Sequence, residues 1–286
     1  MQVAMKRDVI RRKAIEPKSS TDGEPDARDS GVQSVDRALS IIETLAEDDE
    51  GYRLSDLAIR TGLSTSTVHR LLSTLENRRF VQFDRTESKW HVGARAFTVG
   101  ATFARRRNFS AQAVPYLRKL RDLTRETANL AVVDDEFIIV LTRMESREIM
   151  RSLTKVGGRA AMVASGVGKA VLATYSNEDV SAIIHHHGMP RMTEKSIVRP
   201  GDLFKELEKI RRQGFAVDDE EACMGLRCIA AVVYNDCAEP LAAISVSGMT
   251  SRLTDDRLPQ LGQTVREVAA ELTVALGGVM PAANHH

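Results

Sequence analysis

Between residues 54 and 92 the sequence LSDLAIRTGLSTSTVHRLLSTLENRRFVQFDRTESKWHV switches from a helical hydrophobic period to an alternating one. Few small folds accommodate that switch. In residues 64–76, Val68, Leu71, Leu72 and Leu75 recur at i, i+3, i+4 and i+7 and form one apolar stripe. Ser66, His69, Arg70 and Ser73 fall on the opposite face. Residues 55–61 fit a shorter helix with Leu57 and Ala58 turned inward, and Gly62 permits the tight turn between the two. Residues 80–84 and 90–92 then alternate like two strands around a polar tip at 85–89. A helix-turn-helix followed by such a hairpin predicts a winged helix. Val35, Ala38, Leu39, Ile42 and Leu45 make a further stripe, expected to cover the helix pair and complete a small core.

The outer face of the second helix has the chemistry of a major-groove reader. Arg70 is able to fork onto guanine O6 and N7, and His69 to bond a base edge or a phosphate. Ser64, Thr65, Ser66 and Thr67 crowd the helix start, where hydroxyls and free N–H groups suit phosphate oxygens, and Ser73 extends the face by one turn. Arg85 and Lys89 would lie along the phosphates or in the minor groove. Arg78, Arg79, Arg95 and the run 105–107 add positive charge. An ordinary helical hairpin with a solvated polar face is the alternative to DNA binding.

The chain has 286 residues, enough for two domains with separate cores. Net charge is only +1, yet basic residues gather in the first 110 positions, as in a DNA-binding half joined to a near-neutral or acidic half. Cys223, Cys228 and Cys237 contain no Cys-x-x-Cys pair; they point to a reducing cytoplasm and away from a disulfide framework or a zinc site. No apolar run approaches the roughly 20 residues that span a bilayer. The expected organisation is a disordered tail over 1–30, a winged domain over 31–93, a linker helix over 94–109, a second domain over 110–280 and a short tail over 281–286. Lys6, Arg7, Arg11, Arg12 and Lys13 make a basic arm touching DNA the alternative for the first tail.

From residue 110 the pattern is α+β. Val114, Leu117 and Leu120 mark a helix, and 129–133 and 137–143 are apolar strands around the acidic tip 134–136. Further strands are expected at 228–234 and 241–247, and helices at 168–175, 202–213 and 256–276; a mixed sheet packed by helices fits this order. Three segments are candidates to converge on a ligand. Residues 164–169 (ASGVGK) place glycines at a helix start, where free N–H groups suit an anion; Val163 and Ala170 rule out a phosphate P-loop, and a structural turn is the alternative. The acidic run 218–221 has the usual character of a solvated loop or helix start. Ser245 and Ser247 share one side of a strand.

Val32-Gln33-Ser34 with Arg37-Ala38-Leu39, Ala164-Ser165-Gly166 with Gly168-Lys169-Ala170, and the block 214–231 (GFAVDDEEACMGLRCIAA) together resemble the signatures of the IclR family of transcriptional regulators, across nearly all of 32–277. The resemblance implies an α+β chain: an N-terminal winged helix-turn-helix domain, a linker helix and a GAF-like effector-binding domain. It implies as partners a palindromic double-stranded DNA operator, a small organic acid, and other copies of the chain as a dimer that pairs into a tetramer on DNA. No cofactor and no metal are implied. Carried over position by position, the effector site falls on Gly166, Val167, Asp218, Cys228, Ser245 and Ser247, with Leu226, Ile149 and Met150 as an apolar side. The N–H groups of Gly166 and Val167 would hold a carboxylate, the serines would donate to it, and an ionised Asp218 would accept from a hydroxyl, an amide or a hydrated aldehyde. Ser152 and Ala160 stand where relatives sensing 2-oxo acids carry bulkier apolar side chains, which implies a roomier or wetter pocket. Glyoxylate or a similar 2-oxo acid is the leading effector expectation; aromatic acids and sugar acids are the alternatives.

An enzyme using Cys228 as nucleophile is the reading from another class. It needs a base within hydrogen-bond reach. The one histidine cluster, His185-His186-His187, is expected at a solvated helix end, and no G-x-S-x-G elbow occurs.

Overall fold

The computed structural model describes residues 32–106, 109–134, 137–146 and 155–281. The expected tail 1–30, Arg107, the tip residues 135–136, the candidate pocket residues Ile149, Met150 and Ser152, and residues 282–286 lie outside the described residues. The chain divides into two compact units between Gly93 and Ala94.

In the first unit, α1 (Gln33–Ala46), α2 (Leu54–Thr61) and α3 (Thr65–Asn77) precede a hairpin of β1 (Val81–Asp84) and β2 (Lys89–Val92). Gly62 ends α2 at φ +67°, a left-handed conformation that costs glycine little, and thereby sets the turn into α3. Ile41, Leu45, Leu57, Val68, Leu72, Val81 and Trp90 form the core, with Leu71 and Leu75 partly buried against it. Tyr52 exchanges backbone hydrogen bonds with Trp90 (3.1 and 2.8 Å) and pins the segment between α1 and α2 to the hairpin. One expectation is corrected. Of the expected stripe Leu45 is buried and Ile42 packs against the core, but Ile41 enters the core while Val35 and Leu39 are 55% and 54% exposed. The sequence of α1 holds two apolar stripes, and period alone does not say which one turns inward.

The second unit contains α4 (Ala94–Arg106), α5 (Phe109–Thr124), α6 (Gly166–Leu172), α7 (Asn177–His187), α8 (Pro200–Gln213) and α9 (Leu258–Ala275) around one antiparallel sheet. The strands are β3 (Thr127–Asp134), β4 (Phe137–Met144), β5 (Arg159–Ala161), β6 (Ala216–Asp219), β7 (Leu226–Tyr234) and β8 (Pro240–Met249), in the order β5-β4-β3-β8-β7-β6. The two faces bury different sets. Leu130, Ile229, Ala231, Ile244 and Val246 pack with Leu117, Leu120, Val265 and Leu272 of α5 and α9. Ala131, Ala230, Val232 and Ala243 pack with Val167, Ala170 and Val171 of α6 and with Leu203 and Leu207 of α8. Alternation of side chains along each strand produces this division.

At the adjoining ends of the central strands β3 and β8, Arg252 donates from Nε and Nη2 to the buried Glu126 carboxylate at 2.7 and 2.9 Å. The sheet is wholly antiparallel where a mixed one was expected, because its strands are joined as hairpins and returns. Helix α6 begins at Gly166 and not at residue 168, since Ser165 caps it by accepting from Gly168 N–H at 3.0 Å. The sequence marks α7 only by its solvated end at 185–187, and strands β5 and β6 have no counterpart among the expected elements.

Candidate functional site

The polar face of α3 is presented to solvent. Ser64 is the N-cap: its Oγ accepts from Thr67 N–H at 3.3 Å and lies 2.8 Å from Thr67 Oγ1 and 3.1 Å from Ser66 Oγ. The hydroxyls are therefore partly engaged with one another, while Thr65, Ser66, His69 and Arg70 are exposed. Ser73 is half-buried and donates its hydroxyl to His69 C=O at 2.9 Å, leaving it acceptor capacity only. In the hairpin, Asp84 Oδ1 accepts from the N–H groups of Thr86 (2.7 Å) and Glu87 (3.2 Å) and folds the tip, where Arg85 is exposed. Lys89 is not a tip residue as expected. It is the first residue of β2, partly covered and 3.4 Å from Glu87, because its register partner is Asp84.

In the second unit the strand registers assemble two polar rows on the face covered by α6. Asp218, Cys228, Ser247 and Thr127 are successive partners across β6, β7, β8 and β3. Ala216, Ala230, Ser245, Asn129 and Arg143 form the adjacent row, continued onto β4. Residues two apart on a strand share a face, so the rows lie side by side. The next row, Val232, Ala243, Ala131 and Val140, is apolar. Asn129 Nδ2 donates to Ser247 Oγ at 3.4 Å, and Ser245 is 2% exposed.

Over this face stands the start of α6. A Cβ on Gly166 would lie 3.0 Å from Cys228 O and 3.2 Å from its Sγ, so the absence of a side chain lets the helix start sit close against the strand. Val167, one residue on, is buried. The first N–H groups of a helix have no intrahelical acceptor, and those of Gly166 and Val167 meet none among the described residues. Leu226 shares the face at its rim, half-buried at the start of β7. Ala160 is on β5, paired with Ile138 on the row of Val133, and so is not brought to the polar rows.

The acidic run departs most from its expected solvated state. Asp218 and Glu221 are each 6% exposed. Asp218 Oδ1 accepts from Glu221 N–H at 2.8 Å and Ala222 N–H at 3.3 Å. Burial and the neighbouring Glu221 carboxylate nevertheless push its carboxyl up to about 6, against the pull of these N–H groups and of Lys169. Asp219 is held low, against burial, by Arg227, which donates to it from Nε at 2.6 Å. Lys169, with no exposed surface, pairs with Glu221 and donates to Val217 C=O at 2.7 Å. No sequence signal marked that pairing, because the partners are 52 positions apart.

Cys228 is the reverse of an activated nucleophile. Desolvation, then the Asp218 charge, push its thiol up to about 11, although the Ser247 and Ser245 hydroxyls lie within hydrogen-bonding reach. His185, His186 and His187 are exposed in the last turn of α7. Among the described residues no group of three or more His, Cys, Asp or Glu is placed to hold a metal ion, and no helix is long and apolar enough to cross a membrane.

Residues 34–85 match the family described as the IclR helix-turn-helix domain, and residues 101–274 match the one described as the bacterial transcriptional regulator IclR C-terminal domain. The chain is 42% identical over 249 residues to the acetate operon repressor of Salmonella typhimurium, covering 86% of this chain and 91% of the relative. It is 41% identical over 250 residues to the transcriptional repressor IclR of Escherichia coli, covering 87% and 91%. Among solved structures it resembles an IclR homolog complexed with 4-hydroxybenzoate from Microbacterium hydrocarbonoxydans, with a TM-score of 0.71 and 22% identity over 86% of this chain and 99% of that one. At that identity the likeness is one of fold.

Proposed function

The chain belongs to the IclR family of bacterial transcriptional regulators, which are DNA-binding proteins and not enzymes, and from that premise we propose that it is a cytoplasmic repressor whose hold on its operator is set by a small carboxylic acid. In this reading residues 31–93 bind DNA, 94–109 link, and 110–280 sense. Arg70 and His69 read base edges in the major groove, the hydroxyl-rich start of α3 and Arg85 hold phosphates, and Ser73 accepts at the end of the face. Each bidentate base contact contributes about 1–3 kcal/mol of discrimination, and the phosphate contacts make affinity fall with salt.

The observation that carries the sensing half is the convergence of two unbonded helix-start N–H groups with Cys228, Ser245, Ser247 and Asp218 on one face of the sheet. Donors from Gly166, Val167 and the serines surround a carboxylate, the thiol supplies a small soft wall, and Asp218 contacts the ligand's remaining polar group. A 2-oxo acid such as glyoxylate is the reading we favour, a small acid in keeping with a 42%-identical relative that represses an acetate operon. The neighbour holding 4-hydroxybenzoate keeps an aromatic acid as the second reading.

Exposed Val35 and Leu39 on α1 and Val32 at its N-cap, and Phe97 and Val99 on α4, supply apolar surface that a second copy would cover, in support of a dimer on a palindromic site. Fluorescence anisotropy of the protein on its own upstream DNA, titrated with glyoxylate, pyruvate, 4-hydroxybenzoate, protocatechuate and a sugar acid, tests the proposal. One acid should weaken binding about 5- to 150-fold, the range of a coupling of about 1–3 kcal/mol. Binding that is only non-specific and salt-sensitive would overturn it.

A further inference from the structure

Lys169 stands in the first turn of α6 with no exposed surface. An ammonium group in such a place keeps its charge only if the surroundings supply anions and acceptors. They do. Lys169 Nζ donates to Val217 C=O at 2.7 Å and to the Glu221 carboxylate, and Glu206 of α8 lies 3.9 Å away. Glu206 is shared with Lys209 at 3.8 Å, so Glu221 is the nearer anion to Lys169.

Glu221 is also part of the turn that follows β6, and its own N–H donates to Asp218 Oδ1 at 2.8 Å. One short turn thus joins the buried cation to the carboxylate that ends the first polar row. The groups facing this cluster are Glu206 from α8, Asp218 and Glu221 from β6 and its turn, and Cys228 from β7. From β4 and β8 come the uncharged Ile138, Val140 and Ala243, with Arg143 of β4 at the far end of the second polar row and the Ser245 and Ser247 hydroxyls beside Cys228.

We propose that Lys169 is a positioning residue of the effector site: by holding Glu221 and the turn after β6 it keeps Asp218 an aimed, ionised acceptor, so that the site selects an acid with a hydroxyl donor beside its carboxylate, as in a hydroxy acid or a hydrated 2-oxo acid. The inference rests on the effector site described above. Oδ1 of Asp218 is taken by two backbone N–H groups, which leaves Oδ2 for a ligand. An ionised carboxylate only accepts, whereas a protonated one donates and would suit a bare carbonyl. The balance is close. With Lys169 in place the carboxyl titrates near 6, burial and Glu221 pushing up and Lys169 and the N–H groups pulling down. Without the cation, two neighbouring carboxyls would share a dry site, and the pair would hold a proton to higher pH than it does with Lys169 in place.

Full-length protein labelled with 13C at the aspartate carboxyls is titrated by NMR, with Asp218→Asn identifying the resonance. Wild type is expected to titrate near 6, Lys169→Met at higher pH, and Glu221→Gln below wild type. A Lys169→Met resonance that titrates at the wild-type pH overturns the proposal. Should that variant fail to fold, Glu221→Gln decides: a downward move places the charge that Lys169 holds beside Asp218, as the proposal requires, and none overturns it.

Calorimetry with glyoxylate and pyruvate as probes, from pH 5 to 8, reads the consequence. Glyoxylate affinity should fall about tenfold per unit below pH 6 in wild type, and from a higher pH in Lys169→Met. Ser245→Ala should lose glyoxylate binding without moving the Asp218 titration. If the titrations move as expected while wild type binds neither probe, Lys169 still positions Asp218 and the 2-oxo acid reading falls instead.

Discussion

Gly166 and Gly168 are two residues apart on α6, yet replacing each by alanine should give different failures. A Cβ on Gly168 would lie 2.1 Å from the Met162 carbonyl oxygen, 2.4 Å from its Cα and 2.5 Å from its carbonyl carbon. All three are backbone atoms of the 3-10 turn 162–164 that leads into the helix, so no side-chain rotation relieves the overlap. Comfortable carbon contacts begin near about 3.5 Å; the helix must retreat by roughly an ångström. Overpacking of this kind costs about 1–3 kcal/mol, more when backbone must move. In a unit of this size each kcal/mol lowers the midpoint by about 2–4 °C, so Gly168→Ala should melt about 2–12 °C early.

Gly166 faces Cys228 O at 3.0 Å and the movable Sγ at 3.2 Å, and a shift of a few tenths of an ångström relieves both. Gly166→Ala should therefore cost little stability, at the low end of the same range, but put a methyl group where the ligand must sit and abolish the acid response. Scanning calorimetry of both variants, with Leu72→Ala marking the transition of the first unit, separates the cases. A Gly168→Ala trace within about 1 °C of wild type, or equal losses for the two variants, would refute the close approach of α6 to its own entry turn and to β7.

Arg70→Ala should lower operator affinity by about 1–3 kcal/mol and relax preference at one base position while leaving thermal stability unchanged; anisotropy on a set of single-base operator variants reads both, and unchanged preference removes Arg70 from the reading face. Asp218 keeps its proton up to about 6 when folded, against a usual 3.8. The folded state therefore binds more protons than the unfolded one in that window, and stability should fall as pH rises through it, by at most about 3 kcal/mol. Asp218→Asn should flatten that slope in urea titrations, though not abolish it, since burial also raises Glu221. Removing Arg252 strands the buried Glu126 carboxylate, which it holds at 2.7 and 2.9 Å, so Arg252→Ala should cost about 3–5 kcal/mol in denaturant, far more than Arg70→Ala. Leu39→Glu, on the exposed stripe of α1, should reduce the mass seen by light scattering to that of one chain; an unchanged mass places the contact elsewhere.

The elements legible in the sequence were those whose pattern is local. Val68 and Leu72 share a period, Gly62 supplies its own turn, and the hairpin follows from alternation, so the winged unit could be read residue by residue. Helix α1 shows the limit: Val35 and Leu39 are as periodic as Ile41 and Leu45, and only packing distinguishes them. Strand β6 is not legible, because a four-residue edge strand ending in Asp218-Asp219 has the composition of a loop. The buried state of the acidic run was invisible for the same reason, since its cations, Lys169, Lys195 and Arg227, come from three other parts of the chain. Helix α7 has weak amphipathic contrast, and its Ser176 cap is a three-residue event.

The register of the second unit has an evolutionary consequence. Each strand gives one set of side chains to the α5 and α9 layer and the alternate set to the rows beneath α6. Stability is stored mainly in the first set, chemical taste in the second, although they interleave one by one along the same strands. Point substitutions at positions such as 129, 228, 245 and 247 can therefore retune what the domain senses while its scaffold is inherited intact. A one-residue insertion inside β7 or β8 would exchange the two sets wholesale, losing ligand and core together. Descendants of such a protein should diverge in the molecules they answer to by replacing side chains within these strands, and keep their changes of length for the loops.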